Sequence, residues 1–180
     1  MKLTWFAGTT VRINIGGQIL VTDADGAPGF VDPRELLSGA DRSFGFAAGD
    51  EGLPVIDPAK WRPRTPSKIP DDTPANNTVR VQRIGTAAML IDAIGEPPLV
   101  LIGGVEASRF GRWADNAVVT LFGDGEAIIA TGTQLLEIAR PKLIALAADE
   151  QAIDLAIEAL REHLAGAALV SLEPGLALEV

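Results

Sequence analysis

The sequence predicts a layered α/β domain, mixed in the α+β sense, with sheets inside and helices outside. Two observations predict it. Short apolar runs of strand length recur in two groups, near residues 3–22 and 79–102, and helical patterning follows each group. The clearest helical pattern spans residues 150–164, where Ile153, Ile157, Leu160 and Leu164 fall on one face.

Residues 3–6 and 11–15 read as strands. Val11, Ile13 and Ile15 alternate with Arg12 and Asn14, the period of a half-buried strand. Gly16-Gly17 is a hairpin turn, and Gln18–Thr22 is a third, more apolar strand. Asp32-Pro33 opens a short helix: Asp accepts from free backbone N–H groups and Pro suits the first helical position. It runs from Pro33 to about Ser38, and Gly39 ends it.

Residues 49–78 change character. Pro54, Pro58, Pro63, Pro66, Pro70 and Pro74 recur, with Lys60, Arg62, Arg64 and Lys68 between them. Neither a helix nor a central strand holds that spacing, so this is a long loop, with Trp61 as its anchor to the core. The basic residues suit an acidic partner or a solvated surface.

Strand patterning resumes with Val79 and Val81, then residues 87–91 and 99–102, with Gly95-Glu96-Pro97-Pro98 as a turn. The stretch "VRVQRIGTAAMLIDAIGEPPLVLIGG" echoes the earlier "VRINIGGQILVTD", as two similar β-rich halves would. Residues 106–115 suit a helix, with Phe110 and Trp113 three apart. Residues 117–122 form a strand, Asp124-Gly125 a turn, and 126–131 either a partner strand or a helix lead-in. A helix over 133–139 stops at Pro141, and 143–146 is a buried strand. Asp149 caps the helix over 150–164, Gly166 stops it, and strands at 168–172 and 176–178 flank Pro174-Gly175.

Composition bounds the function. A chain of 180 residues can bury a sizeable core as one domain, and 47% apolar content argues against disorder. A mean hydropathy of +0.23 agrees. The net charge of −9 argues against general nucleic-acid binding. No apolar run reaches membrane-spanning length, and Met1-Lys2-Leu3-Thr4-Trp5 runs directly into strand sequence without a signal-peptide pattern. The expectation is a cytoplasmic protein. The chain has no cysteine and a single histidine, His163, so thiolate sites and multi-histidine zinc sites cannot form within one chain.

Three stretches resemble the metallo-β-lactamase superfamily, in particular its lactonase-like branch of metal-dependent hydrolases. "LTWFAGTTVRINIGGQILVTD" is similar to that branch's opening strands, which carry a Gly-His pair and lead to an Asp. "LVLIGGVEASRFGR" is similar to a later strand ending in Gly-Asp-Thr. "ARPKLIALAAD" and "VSLEPGLALEV" are similar to the closing strand and tail. The resemblance implies a reduced four-layer αββα sandwich, residues 1–180 forming one such domain. It also implies a dinuclear metal site held by a His-x-His-x-Asp-His cluster. Here that neighbourhood is "ADRSFGFAAGDEG", without histidine. The early family histidine falls on or near Gly8, the bridging Asp near Val105 and the last histidine near Ala148.

The expected function is therefore a non-catalytic binding or assembly module of this fold. The alternative is an esterase- or lactonase-type hydrolase using carboxylate ligands or ligands from a partner chain. No zinc is expected. Asp23 and Asp25, with Asp50, are candidate oxygen ligands for Mg²⁺ or Ca²⁺; capping strand and turn ends is their more ordinary role. A ligand pocket bounded by Gly8, Thr9, Asp23, Gly104 and Ala148 is expected where the metals would sit. Thr9 and Thr10 show no base beside them in sequence. His163 suits a surface position near a helix C-terminus, and Gly103-Gly104 lacks the dinucleotide fingerprint. A homodimer or an unknown protein partner is expected, with no nucleic acid and no membrane.

Overall fold

Gly16 and Gly17 take φ of 56° and 75°, the positive values that a tight hairpin of native twist requires. They join β2 (Thr10–Ile15) to β3 (Gln18–Thr22), with Ile15 opposite Gln18. The computed structural model describes residues 1–46, 52–64, 79–104 and 110–180. Together with β1 (Lys2–Ala7), β4 (Arg42–Phe44) and β11 (Ala177–Glu179), these strands form a sheet ordered β11-β1-β2-β3-β4.

The second sheet runs β10-β9-β8-β7-β6-β5. Its strands are β5 (Arg80–Arg83), β6 (Ala88–Asp92), β7 (Leu99–Gly103), β8 (Val118–Phe122), β9 (Leu143–Ala147) and β10 (Ala168–Ser171). The sequence echo has a topological counterpart. Each sheet has a three-strand antiparallel meander, β1-β2-β3 or β5-β6-β7, followed by a strand added parallel to its last member.

The apolar runs follow from burial on two faces. Met89, Ile91, Leu99 and Leu101 face the first sheet, where Leu3, Val11, Ile13 and Ile15 meet them. Leu90, Val100, Ile102 and Val119 face the other way, toward the helices. A sheet covered on both sides needs no polar alternation. Its outer cover is α2 (Gly125–Ile138) and α3 (Glu150–Leu160). Among the described residues, the first sheet carries the short α1 (Pro33–Leu37), into whose carbonyls Arg12 donates. The layering is α-β-β-α, with a thin first helical layer.

Several expectations need correction. Asp124-Gly125 is not a hairpin turn. Asp124 caps one continuous helix, accepting from Ala127 N at 2.8 Å, so residues 126–131 are helix rather than strand. The helix expected over 106–115 does not extend through its described part. Gly111 is extended and only a 3-10 turn, Arg112–Ala114, follows; residues 106–109 lie outside the described residues. In α3 the buried ridge is Ala152, Ala156 and Leu160, while Ile157 is 39% exposed. Helix α2 lies very close: a Cβ on Gly125 would stand 3.4 Å from Ala152 Cα, and one on Gly132 would stand 2.7 Å from Leu160 Cδ1. The helix also ends at Leu160 rather than Leu164.

The loop after residue 51 is pinned in its described part. Arg83 N donates to Pro54 O at 2.8 Å and Ile56 N to Arg83 O at 2.9 Å, which covers the outer edge of β5. Trp61 packs half-buried against the helix-side core. A second anchor was not legible in sequence: Arg64 Nε lies 2.6 Å from Asp92 Oδ2, largely out of solvent. Residues 65–78 lie outside the described residues.

Candidate functional site

Strands β7, β8, β9 and β10 run parallel, so their C-terminal ends open at one edge of the sheet. Open sheets of this kind bind ligands at that edge. Gly103-Gly104, Gly123 and Ala147-Ala148-Asp149 meet there, opposite Trp5, Ala7, Gly8 and Thr9 of the first sheet. Between them lies a cavity of about 650 Å³, within the range of small-molecule sites.

Its floor is aromatic. Phe46 and Phe122 sit 5.6 Å apart, tilted at 55°, and Trp5 joins them. Gly103 permits this approach, since a Cβ there would come 3.0 Å from Phe46 Cε1. Gly8 and Gly104, both at positive φ, border open space. Asp149 is the one charged side chain among the described lining residues. Its Oδ1 accepts from Ala152 N at 2.9 Å, capping α3.

The polar groups around the cavity are turned to one another. Trp5 Nε1 donates to Gly8 O at 3.0 Å, and Thr131 Oγ1 donates to Gly104 O at 3.2 Å. Thr9 Oγ1 donates to Asp23 Oδ2 at 2.5 Å, and Phe46 N donates to Asp23 Oδ1 at 2.8 Å. The sequence shows no base beside Thr9; the fold puts a carboxylate there by strand pairing. That carboxylate is also the bracket for Phe46. Asp23 takes a left-handed backbone (φ 41°, ψ 50°), which Asp tolerates better than most residues.

Gly8, Thr9, Gly104 and Ala148 thus line one cavity, and Asp23 stands behind Thr9 without lining it. Asp25 is exposed in the 3-10 turn Ala24–Gly26, whereas both Asp23 oxygens point inward to Thr9 and Phe46. Asp50 and Val105 lie outside the described residues. Among the described residues, no three His, Cys, Asp or Glu side chains are grouped as a metal site. His163 is exposed beyond the C-terminal end of α3. The 11 residues of α3, roughly 16 Å of helix at 1.5 Å each, lie between it and Asp149. A catalytic zinc centre needs about three ligands, commonly imidazole or thiolate with carboxylate. The described residues at this mouth do not supply such a ligand set.

The aromatic floor was missed in sequence, because Trp5, Phe46 and Phe122 come from three separate strand ends. The available signal was glycine after parallel strands, at Gly104 and Gly123, where backbone must leave room.

The chain is similar to a solved structure described as Igni18, a novel metallo hydrolase from the hyperthermophilic archaeon Ignicoccus hospitalis. The match covers 99% of this chain and 98% of that one, at 12% identity and a TM-score of 0.52. The chain has a metallo-hydrolase fold. No family model matches it, and no curated protein does. Among the described residues no helix is long and apolar enough to cross a membrane.

Proposed function

We propose that this chain is a non-catalytic protein of the metallo-β-lactamase type, of the lactonase-like branch, that acts as a binding or assembly module. One observation carries the reading. The mouth where such a fold would hold metal is an apolar cavity whose polar groups are bonded to one another. Such a site gains affinity from buried apolar area rather than from chemistry on a bound water. Its ligand class is a small, mostly apolar molecule without negative charge, since Asp149 stands at the wall. Assembly as a homodimer belongs to the same proposal.

The structural neighbour is a metallo hydrolase, which favours a second reading: hydrolysis with carboxylate ligands or with ligands from another chain. The two are separated by assaying ester and lactone hydrolysis with zinc, manganese or iron supplied, while light scattering reports the oligomer. Absence of turnover in a stable dimer supports the binding module. Metal-dependent turnover supports the hydrolase and overturns it.

A further inference from the structure

The basic residues of the proline-rich loop are sorted by the fold. Arg64 turns inward to Asp92, donating Nη2 to its carbonyl at 2.8 Å besides the ion pair. Lys60 stays in solvent, 3.9 Å from Asp57. Arg62 instead joins Trp61, Trp113 and Arg112 around a groove of about 530 Å³. The groove lies beside the 3-10 turn Arg112–Ala114, just before the N-terminal end of β8. The mouth cavity lies past the C-terminal end of the same strand, so the two sites are separate.

We propose that this groove binds a small planar aromatic anion. Both indoles are half-buried with their bodies against the helix-side core, so they are held rather than free. Phe110 stacks on Trp113 at 6.5 Å and 27°. Gly111 lets the backbone lie along that indole, because a Cβ would come 3.2 Å from Trp113 Cδ1. Fixed aromatic faces stack on a planar ring at little entropic cost.

The guanidinium groups supply the anion's partners. Arg62 spends Nη1 on Ala59 O at 2.8 Å and Trp61 O at 2.6 Å, and its Nη2 has no partner among the described residues. Arg112 spends Nε on Asp115 Oδ2 at 3.3 Å, leaving both terminal nitrogens. Asp115 is itself engaged, its Oδ1 accepting from Arg140 N at 2.8 Å. Apart from that paired carboxylate, which also lines it, the groove presents donors and aromatic faces. Guanidinium forks suit carboxylate and phosphate oxygens. The net charge of −9 disfavours a polyanion around this local positive spot.

The test is tryptophan fluorescence of the full chain titrated with adenosine 5′-monophosphate, with 2-naphthoate, and with uncharged adenosine. Saturable quenching by either anion, about tenfold weaker for adenosine and in Arg62→Gln/Arg112→Gln, supports the site. The anion that binds distinguishes phosphate from carboxylate as the natural group. The quench must persist in Trp5→Phe, which removes the mouth's indole. No saturation by either anion up to about 1 mM, equal affinity in the arginine variant, or loss of the quench in Trp5→Phe overturns it.

Discussion

Thr9 Oγ1 and Asp23 Oδ2 are hydrogen-bonded at 2.5 Å across the ends of two neighbouring segments of one sheet. The same carboxylate accepts from Phe46 N at 2.8 Å, so one acid fastens the β1–β2 turn to the exit of β4. Asp23→Ala leaves a hydroxyl and an amide without their acceptor, at a cost of about 1–3 kcal/mol. Urea unfolding measures it. If Asp23 is a bracket and not a ligand, millimolar Ca²⁺ or Mg²⁺ leaves the wild-type melting temperature unchanged.

Arg64 and Asp92 form a nearly dry ion pair, with side chains 13% and 5% exposed. Asp92 Oδ1 has no hydrogen-bond partner among the described residues, so the carboxylate depends on Arg64 for compensation. Arg64→Met alone costs about 3–5 kcal/mol, because it strands a buried charge. Arg64→Met/Asp92→Leu is much less destabilised than the sum of the single changes, a coupling read from a double-mutant cycle in chemical denaturation.

Gly16 and Gly17 share positive φ but differ in their surroundings. A Cβ on Gly16 would lie 2.8 Å from Ala93 Cβ and 3.0 Å from Val79 Cγ2, while one on Gly17 meets nothing within 4 Å. Gly17→Ala costs about 1–2 kcal/mol from backbone strain alone. Gly16→Ala adds a steric clash that typically costs a further 1–3 kcal/mol or so. Thermal unfolding of the two variants ranks them, Gly16→Ala being the lower.

Asp124 and Asp149 cap the two long helices, at 2.8 and 2.9 Å from the amides they serve. Each change to Ala costs about 1 kcal/mol. Asp149→Ala also removes the charged lining of the mouth cavity, so under the proposed function it relaxes discrimination against anionic ligands there. Thermal shifts with matched neutral and anionic compounds check this.

The strands and their turns were legible because alternation, Gly16-Gly17 and Gly95-Glu96-Pro97-Pro98 are local signals. Helix α2 was misread in part because Asp-Gly before an apolar run suits a hairpin and a capped helix equally; only packing on the sheet decides. The face of α3 shifted because Gly125 of α2 lets Ala152 approach and Gly132 makes room for Leu160, a property of the partner helix. At the mouth, Gly8, Thr9, Gly104 and Ala148 were reached through the resemblance. The Thr9–Asp23 pairing, the aromatic floor and the Arg64–Asp92 bridge join residues 14 to 76 positions apart or more, and no local pattern encodes them.

Under the proposed function the fold persists while its mouth holds no built metal centre. Equilibrium zinc binding to the purified chain tests it most directly. The expected result is no saturable site tighter than about micromolar, the scale of weak surface carboxylate and single-histidine contacts rather than of a built centre. One or two tight zinc ions per chain, accompanied by hydrolysis that a chelator abolishes, would contradict it.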